Sequence, residues 1–441
     1  MSSINEMIPS LQIVAANGVP YFTPMQYPSA GTAVVPQPNG KLVPTLFQPF
    51  KIRGVQIQNR ILLSPLCQYS TKDGKPTPWH LAHREPIDIP PVIEFSDVSC
   101  IVGGILSRGP GLSFIEATAV TRQGRISPED LGLWTDEHIP AFAQLAAFAH
   151  SQNQKIGIQL AHAGRKASTA APWFGGWKLV REDVGGWPDD IVAPSAVPHS
   201  EGLARPRALT REEIAGIVKA FADAAWRAVQ AGFDVIEVHG AHGFLLHSFM
   251  SPVSNFREDE YGGSFENRTR IIVEVVDAVR AIIPPDMPVF YRISASDRLE
   301  TSMPDLPSWR VEDTIRLAEV LAEHGVDLLD VSSAGNHPHQ SVQELRLAEA
   351  YHAELSAQIK ATLGHRILVG AVGGINTGKI AQEVLDKDQA DVVFVGRMFQ
   401  KNPGLVWQFA EDLGVQIKAM TQIEWAFFGR GVGRADGPKP N

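Results

Sequence analysis

DVIEVHGAHGFLLHSFMSP, residues 234–252, is the stretch on which the reading of the fold turns. Val235, Ile236 and Val238 make a short apolar run of the kind that forms a buried strand. The run stops at His239, and His242 follows three residues on, with Gly240 and Gly243 between and after them. A buried strand that ends in proton-carrying side chains and small residues is what a parallel barrel places at the mouth of its active site.

Working outward, the same grammar repeats. RILLSPL (60–66), FIEATAV (114–120), KIGIQLAH (155–162), PVFYRISA (288–295), DLLDVSSA (327–334), RILVGAVG (366–373) and DVVFVGR (391–397) are short β-branched-rich runs, and with DVIEVHGA (234–241) they number eight. Most are separated by helical stretches. The clearest helix opens with a capping box, Thr210 and Glu213, places Ile214, Ile217, Phe221, Ala225 and Ala228 on one face, and meets a stop signal at Gly232. A second runs from about Glu266 to Ile283, and a third follows Arg310 and ends at Gly325. Strand–helix alternation gives parallel strands joined by right-handed crossovers, and eight units close into a (β/α)8 TIM barrel. A doubly wound sheet competes, but no dinucleotide fingerprint follows the first strand; the only GxG repeat, Gly429–Gly431–Gly433, lies near the carboxyl end and follows no strand. The domain reading is one α/β barrel over 45–415, an N-terminal extension rich in Pro, Gly, Ser and Ala over 1–44, and a C-terminal tail over 416–441. Long loops after the third and fourth strands are expected to cover the site.

Composition narrows the function classes. At 44% hydrophobic and 20% charged residues the chain reads as soluble and globular, and a formal net charge of -9 argues against a nucleic-acid partner. Two cysteines, Cys67 and Cys100, cannot build a disulfide framework or a four-cysteine metal site, so a reduced, cytoplasmic location is expected. The N-terminus lacks a basic start followed by an apolar block, and no stretch of about 18 apolar residues marks a membrane span.

The strand-end residues carry the chemistry: Cys67 and Tyr69, Ala117, Gln159 and His162, His239 and His242, Arg292, Gly370 to Gly374, and Gly396–Arg397. Amide and hydroxyl groups could read a heteroaromatic ring. The glycine-rich turn GAVGGINTGK, directly before a helix, together with Arg397 could hold an anion, and in barrels the seventh and eighth loops frequently bind phosphate. The histidine pair could donate to a substrate oxygen. A zinc site completed by His247 is the metal alternative, but no HExxH pattern or carboxylate at ligand spacing accompanies it, so no metal is expected.

NRILLSPLCQYS, QLAHAGRK, HGAHGFLLHSFMSPVSNFREDEYGGSFENRTR, RISASD and VGR together resemble the Old Yellow Enzyme family of FMN-dependent ene-reductases, in particular its thermophilic-like branch, over about 46–413. The resemblance implies FMN as cofactor and NADPH or NADH as hydride donor. It implies that Ser64, Pro65, Cys67, Ala117, Gln159 and Arg292 line the flavin ring and ribityl chain, and that Gly373, Gly396 and Arg397 hold its phosphate. It implies that His239 and His242 bind the carbonyl or nitro oxygen of an activated alkene, with Tyr69 over the same pocket. A homo-oligomer is implied as well, with Arg430 (Arg434 competing) reaching a neighbouring subunit.

Three places depart from the family pattern. Phe244 stands where much of the family has the tyrosine that protonates the substrate, and phenylalanine has no proton to give. Without that acid, the hydride could return to the flavin, making a redox-neutral FMN-bound isomerase the in-class alternative; a non-catalytic flavin-binding barrel is the alternative from another class. Residues 84–102, REPIDIPPVIEFSDVSCIV, fall where the first helix should run, hold three prolines and no period, and read as an atypical insert, an unspliced or mispredicted segment. The local match around Arg430 is poor.

Overall fold

The structure is a computed structural model that describes residues 14–80, 102–175, 177–342 and 348–429. Eight parallel strands close into a barrel in chain order: β1 (Ile61–Leu63), β2 (Leu112–Ala119), β3 (Ile156–Ala161), β4 (Val235–Gly240), β5 (Val289–Ser294), β6 (Leu328–Ser332), β7 (Leu368–Val372) and β8 (Val392–Val395), with β8 pairing back onto β1. The (β/α)8 expectation holds. Every barrel strand but β7 is fully buried along its length, which is why each reads as a continuous apolar run rather than an alternating one.

Helices α1 (Val102–Leu106), α2 (Ile139–Ser151), α3 (Arg211–Ala231), α4 (Leu245–Met250), α5 (Phe265–Ile282), α6 (Val311–Glu323), α7 (Ala353–Leu363), α8 (Gly378–Asp386), α9 (Arg397–Lys401), α10 (Leu405–Leu413) and α11 (Trp425–Phe428) follow along the chain. α3 is built as its sequence says. Thr210 accepts from the Glu213 amide while the Glu213 carboxylate accepts from the Thr210 amide, and Gly232 ends the helix at φ +93°. Loss of such a cap costs about 1 kcal/mol. Ile214, Ile217, Phe221, Ala225 and Ala228 are buried against α2, α5 and the outer faces of the strands. α5 starts on Ser264, whose hydroxyl accepts from the Asn267 amide. Here the DEYGGSFENR motif proves architectural: Arg257 pairs with Asp259 and reaches the carbonyls of Pro194 and Leu209, and Arg268 donates to Met250 O.

Inside the barrel, Phe114, Phe290 and Phe394 pack with ring centroids 5.6 to 6.4 Å apart. Gly157 and Gly370 make room for them, since a Cβ at either would lie 2.5 or 2.4 Å from Phe114 or Phe394. This aromatic layer floors the site above it. Below it the barrel is stoppered by a feature the sequence reading did not anticipate, an antiparallel hairpin, Phe50–Ile52 with Val55–Ile57. Its Ile52 and Ile57 enter the same apolar cluster as Phe290 and Val392.

Residues 14–44, expected as an extension, lie along the C-terminal segment: Gly31 donates to Lys418 O, Val34 to Gln416 O, and Gln26 to the Gln422 side chain. The insert expected at 84–102 falls, apart from its last residue, outside the described residues, as do Arg430 and Arg434. Among the described residues no helix is long and apolar enough to cross a membrane.

Candidate active site

The carboxyl ends of the strands open into two adjoining cavities of about 420 Å3 each. Pro65, Leu66, His242, Arg292, Ser332, Tyr351 and His352 line both, so they form one L-shaped space. Ser64, Gly373, Gly396 and Arg397 line the first arm; Cys67, Tyr69, Ala117, Gln159, His239 and Phe244 line the second. The thirteen residues given a cofactor or substrate role from the sequence therefore meet in one place. Their separation along the chain is closed by barrel geometry: successive parallel strands bring successive carboxyl ends to one rim. His162 and Gly370 are strand-end residues that are not brought in: the His162 Nδ1 accepts from the Gly164 amide, Gly370 packs against Phe394, and neither lines a cavity.

Local structure aims each side chain. A bulge at Glu116 shifts the register of β2, so that Ala117, not Glu116, pairs beside Gln159. The displaced Glu116 carboxylate accepts from the Gln68 amide and lies 3.7 Å from His80 Nε2, pinning the segment that carries Cys67 and Tyr69 over the barrel. Tyr69 sits at φ +49° and its ring meets Trp173 edge-on at 5.6 Å. Its phenol bonds to the Cys67 sulfur, and burial pushes both the phenol and the thiol up, so both stay protonated at neutral pH. The seventh strand ends in Gly373 and Gly374, at φ +103° and +71°, conformations that suit glycine. Arg397 stands at the start of α9, exposed, 3.5 Å from the Tyr351 hydroxyl.

The histidine pair is deeply set. His239 is 3% exposed, and its Nδ1 accepts from the Ala241 amide at 3.3 Å, which leaves the ring proton on Nε2. His242, at φ +59°, is fixed by its amide, which donates to Ser294 Oγ, and by Nε2, 2.7 Å from Ser332 Oγ. The two rings are perpendicular at 5.2 Å, and Phe244 packs edge-on to His239 at 4.9 Å. Burial, reinforced by the Arg292 charge, holds both imidazoles well below the usual histidine range, so they are neutral donors rather than cations. His247, the suggested third metal ligand, turns away: its Nδ1 accepts from the Gly243 amide and its Nε2 lies 3.1 Å from Asp297, both fully buried. Among the described residues no three His, Cys, Asp or Glu side chains are grouped to hold an ion.

Beneath the junction of the arms lies a buried charged layer. Arg292 Nε is 3.1 Å from Asp330 Oδ2, a contact that is short but too poorly angled to count as a hydrogen bond. Gln159 donates to Glu237 at 2.7 Å. Burial, and then Asp330, raises the Glu237 carboxyl to about 8; burial also raises Asp330, against the pull of Arg292. Ser64 Oγ and Arg292 Nε are buried without a hydrogen-bond partner in the protein. The cavity walls themselves carry the polar side chains of Gln159, Arg292, His239 and His242, with Gly373, Gly374 and Arg397 along the first arm, so a flat heteroaromatic group with a polar edge, extended into an anionic tail toward Gly373 and Arg397, fits this lining.

Several lining residues escaped the sequence reading. Ser332 and Ser333 end β6, a strand that was recognised but whose end residues were not drawn into the site; the strand-end rule applied evenly would have found them. Tyr351, His352, Trp177 and Lys166 come from loops and turns, where no strand period points at a site.

Residues 107–416 match the NADH:flavin oxidoreductase / NADH oxidase family. The chain belongs to that family, the Old Yellow Enzymes. Among relatives, an NADH:flavin oxidoreductase of Gibberella zeae is 50% identical over 95% of this chain and 96% of its own. An NADPH dehydrogenase of a Geobacillus species is 42% identical over 87% of this chain and 99% of its own. Among solved structures, morphinone reductase is 27% identical, with a TM-score of 0.63, and covers 85% of this chain and 91% of that one. This flavin oxidoreductase accordingly uses FMN and NAD(P)H, which removes the binding-only barrel from consideration.

Proposed function

We propose that this Old Yellow Enzyme reduces activated alkenes, α,β-unsaturated carbonyl or nitro compounds, at the expense of NAD(P)H. The observation that carries this reading is the placement of the histidine pair, two imidazoles 5.2 Å apart on the wall of the substrate arm. Two neutral imidazoles at one cavity wall, one with its N–H defined on Nε2, are suited to a substrate oxygen on which negative charge grows. Preplaced donors to a developing charge are worth more to the transition state than to the ground state.

When bound, FMN supplies the hydride, received from NAD(P)H and delivered to the alkene β-carbon. Ser64, Pro65, Cys67, Ala117, Gln159 and Arg292 would hold its ring system, and Gly373, Gly396 and Arg397 its phosphate. Arg292 would bring positive charge to the ring and would favour its anionic reduced state. His239 and His242 orient the substrate oxygen, and Tyr69, held edge-on to Trp173, lines the same pocket.

The redox-neutral isomerase is the second reading, favoured by Phe244, whose ring lines the substrate arm and offers no proton. One experiment separates them. Purified protein loaded with FMN is reduced anaerobically with NADPH and mixed with a cyclic enone. Recovery of the flavin absorbance with one saturated ketone formed per NADPH supports the reductase. Conversion of a Z-configured activated alkene to its E isomer with no net NADPH consumed supports the isomerase. Reduced flavin that neither reaction reoxidises or uses rejects both. For assembly we keep the expectation of a homo-oligomer, consistent with Trp425 and Phe427 standing 53% and 46% exposed near the C-terminus.

A further inference from the structure

Phe244 has no proton to give the substrate, and the substrate arm of the cavity holds another side chain that can carry one. Lys166 ends a short turn, Gly164–Lys166, directly after β3. The turn is clamped down: Gly164, at φ +58°, packs so closely on α4 that a Cβ there would lie 2.9 Å from Leu245 Cα, and Leu245 donates to His162 O. Lys166 is thereby directed inward and is 2% exposed. Its Nζ donates to His242 O at 2.7 Å and to Gly335 O, bridging the loops after β4 and β6. It lies 4.6 Å from the Trp177 ring centroid and 5.9 Å from that of Phe244. An ammonium has three N–H bonds; two go to carbonyls, and the amine lines the cavity shared by His239, Phe244 and Tyr69.

We propose that Lys166 is the proton donor to the substrate α-carbon, occupying in space the role that Phe244 leaves vacant. The assignment rests on the ene-reductase reading above. As the hydride adds to the β-carbon, the alkene's π pair moves onto the α-carbon and the oxygen held by His239 and His242. The α-carbon then takes a proton from the Lys166 ammonium, which is left as a neutral amine and is reprotonated from solvent.

The alternative donor in the pocket is Tyr69, and the electrostatics separate the two. Burial raises the Tyr69 phenol, already bonded to Cys67, making it a weaker acid. Burial, and then Arg165, lowers Lys166 to about 7, into the range where a general acid is efficient. The charged and titratable groups about Lys166 are Arg165, His199, His239 and His242, each cationic or neutral, so none of them restores the ammonium by ion pairing.

The test uses two variants of the FMN-loaded enzyme. Lys166→Arg keeps charge and anchoring donors but cannot release its proton at working pH, whereas Lys166→Met loses both. Both are expected to slow reoxidation of the NADPH-reduced enzyme by a cyclic enone roughly 100-fold, the scale of a lost general acid. In the wild type that rate falls as pH rises above about 7, and in both variants this limb disappears. Adding Phe244→Tyr to Lys166→Met returns at least about tenfold of the loss. Independently of turnover, the 15N-lysine NMR signal absent from Lys166→Met titrates near 7 in the wild type. Lys166→Arg with wild-type rate and pH profile, or a Lys166 titration near the ordinary lysine value, overturns the assignment while leaving the reductase reading intact. Failure of the wild type to reduce any enone overturns both.

Discussion

Phe244 shows how one side chain can redistribute a mechanism. Its ring is 6% exposed, packs on Ile126, Ala163, Ala167 and Ile191, and meets His239 edge-on, so it serves the apolar wall of the pocket well. What it withholds is a hydroxyl. Phe244→Tyr adds a donor whose acidity does not depend on Lys166. The variant is therefore expected to resemble the wild type near pH 6, where Lys166 is protonated. At pH 9, where the amine is mostly neutral, it should reduce a cyclic enone about tenfold faster than wild type. Steady-state kcat across pH checks this, and parallel profiles for the two proteins would contradict it. The residues named from the sequence were legible because each ends a strand or sits in a local motif. Lys166 was quoted within QLAHAGRK but carried no role, because nothing local says that it bends back beneath His242.

At the scale of elements, the site is made by small irregularities in regular strands. The bulge at Glu116 turns Ala117 toward Gln159, and the turn after β7 bends through two left-handed glycines. A Cβ on Gly373 would lie 2.6 Å from Tyr351 Cζ at φ +103°, and one on Gly374 would lie 2.6 Å from Ala348 O. Gly373→Ala should cost roughly 1–3 kcal/mol in the cofactor-binding conformation. FMN would then bind about 5- to 140-fold more weakly, since about 1.4 kcal/mol is tenfold. Fluorescence titration of released flavin measures this, and an unaltered affinity would remove Gly373 from the phosphate site. Periodicity shows neither feature. A bulge adds one residue to a run that still looks apolar, and the stoppering hairpin at 50–57 is too short for its alternation to stand out.

Taken whole, the molecule buries more ionisable groups than its modest charge suggests, and they set its response to acid. Seven histidines, His138, His162, His199, His239, His242, His337 and His352, are held below the usual value, chiefly by burial. Four carboxyls, Asp130, Glu237, Glu274 and Asp330, are held above theirs, also by burial. The signs oppose each other. Below about 6.5 the unfolded chain protonates histidines that the folded chain keeps neutral, so stability falls on acidification. The raised carboxyls bind protons in the folded state before the unfolded one does, so they push stability up over part of the same range. Between pH 6 and 5 the seven histidines outnumber the four carboxyls, and each excess proton is worth up to about 1.4 kcal/mol per pH unit. The thermal midpoint should therefore drop as pH is lowered from 6.5 to 5, which calorimetry can follow. A midpoint that rises over that interval would mean that the carboxyls dominate.

The sequence alone determined the barrel, because strands buried on both faces must be continuous apolar runs and eight of them alternate with amphipathic helices. It also determined which strand ends carry histidine, arginine and glycine, because chemistry at a barrel mouth is written where an apolar run stops. Tertiary structure decided what those residues can do. Whether a lysine is near neutrality and which serine steadies His242 depend on burial and on partners more than 70 residues away in the chain, from Lys166 to His242 O and from His242 to Ser332 Oγ. Desolvation and long-range contact exist only once the chain has closed on itself. For the same reason the missing hydroxyl of Phe244 could be read from the chain, while the amine beside it could be found only in the fold.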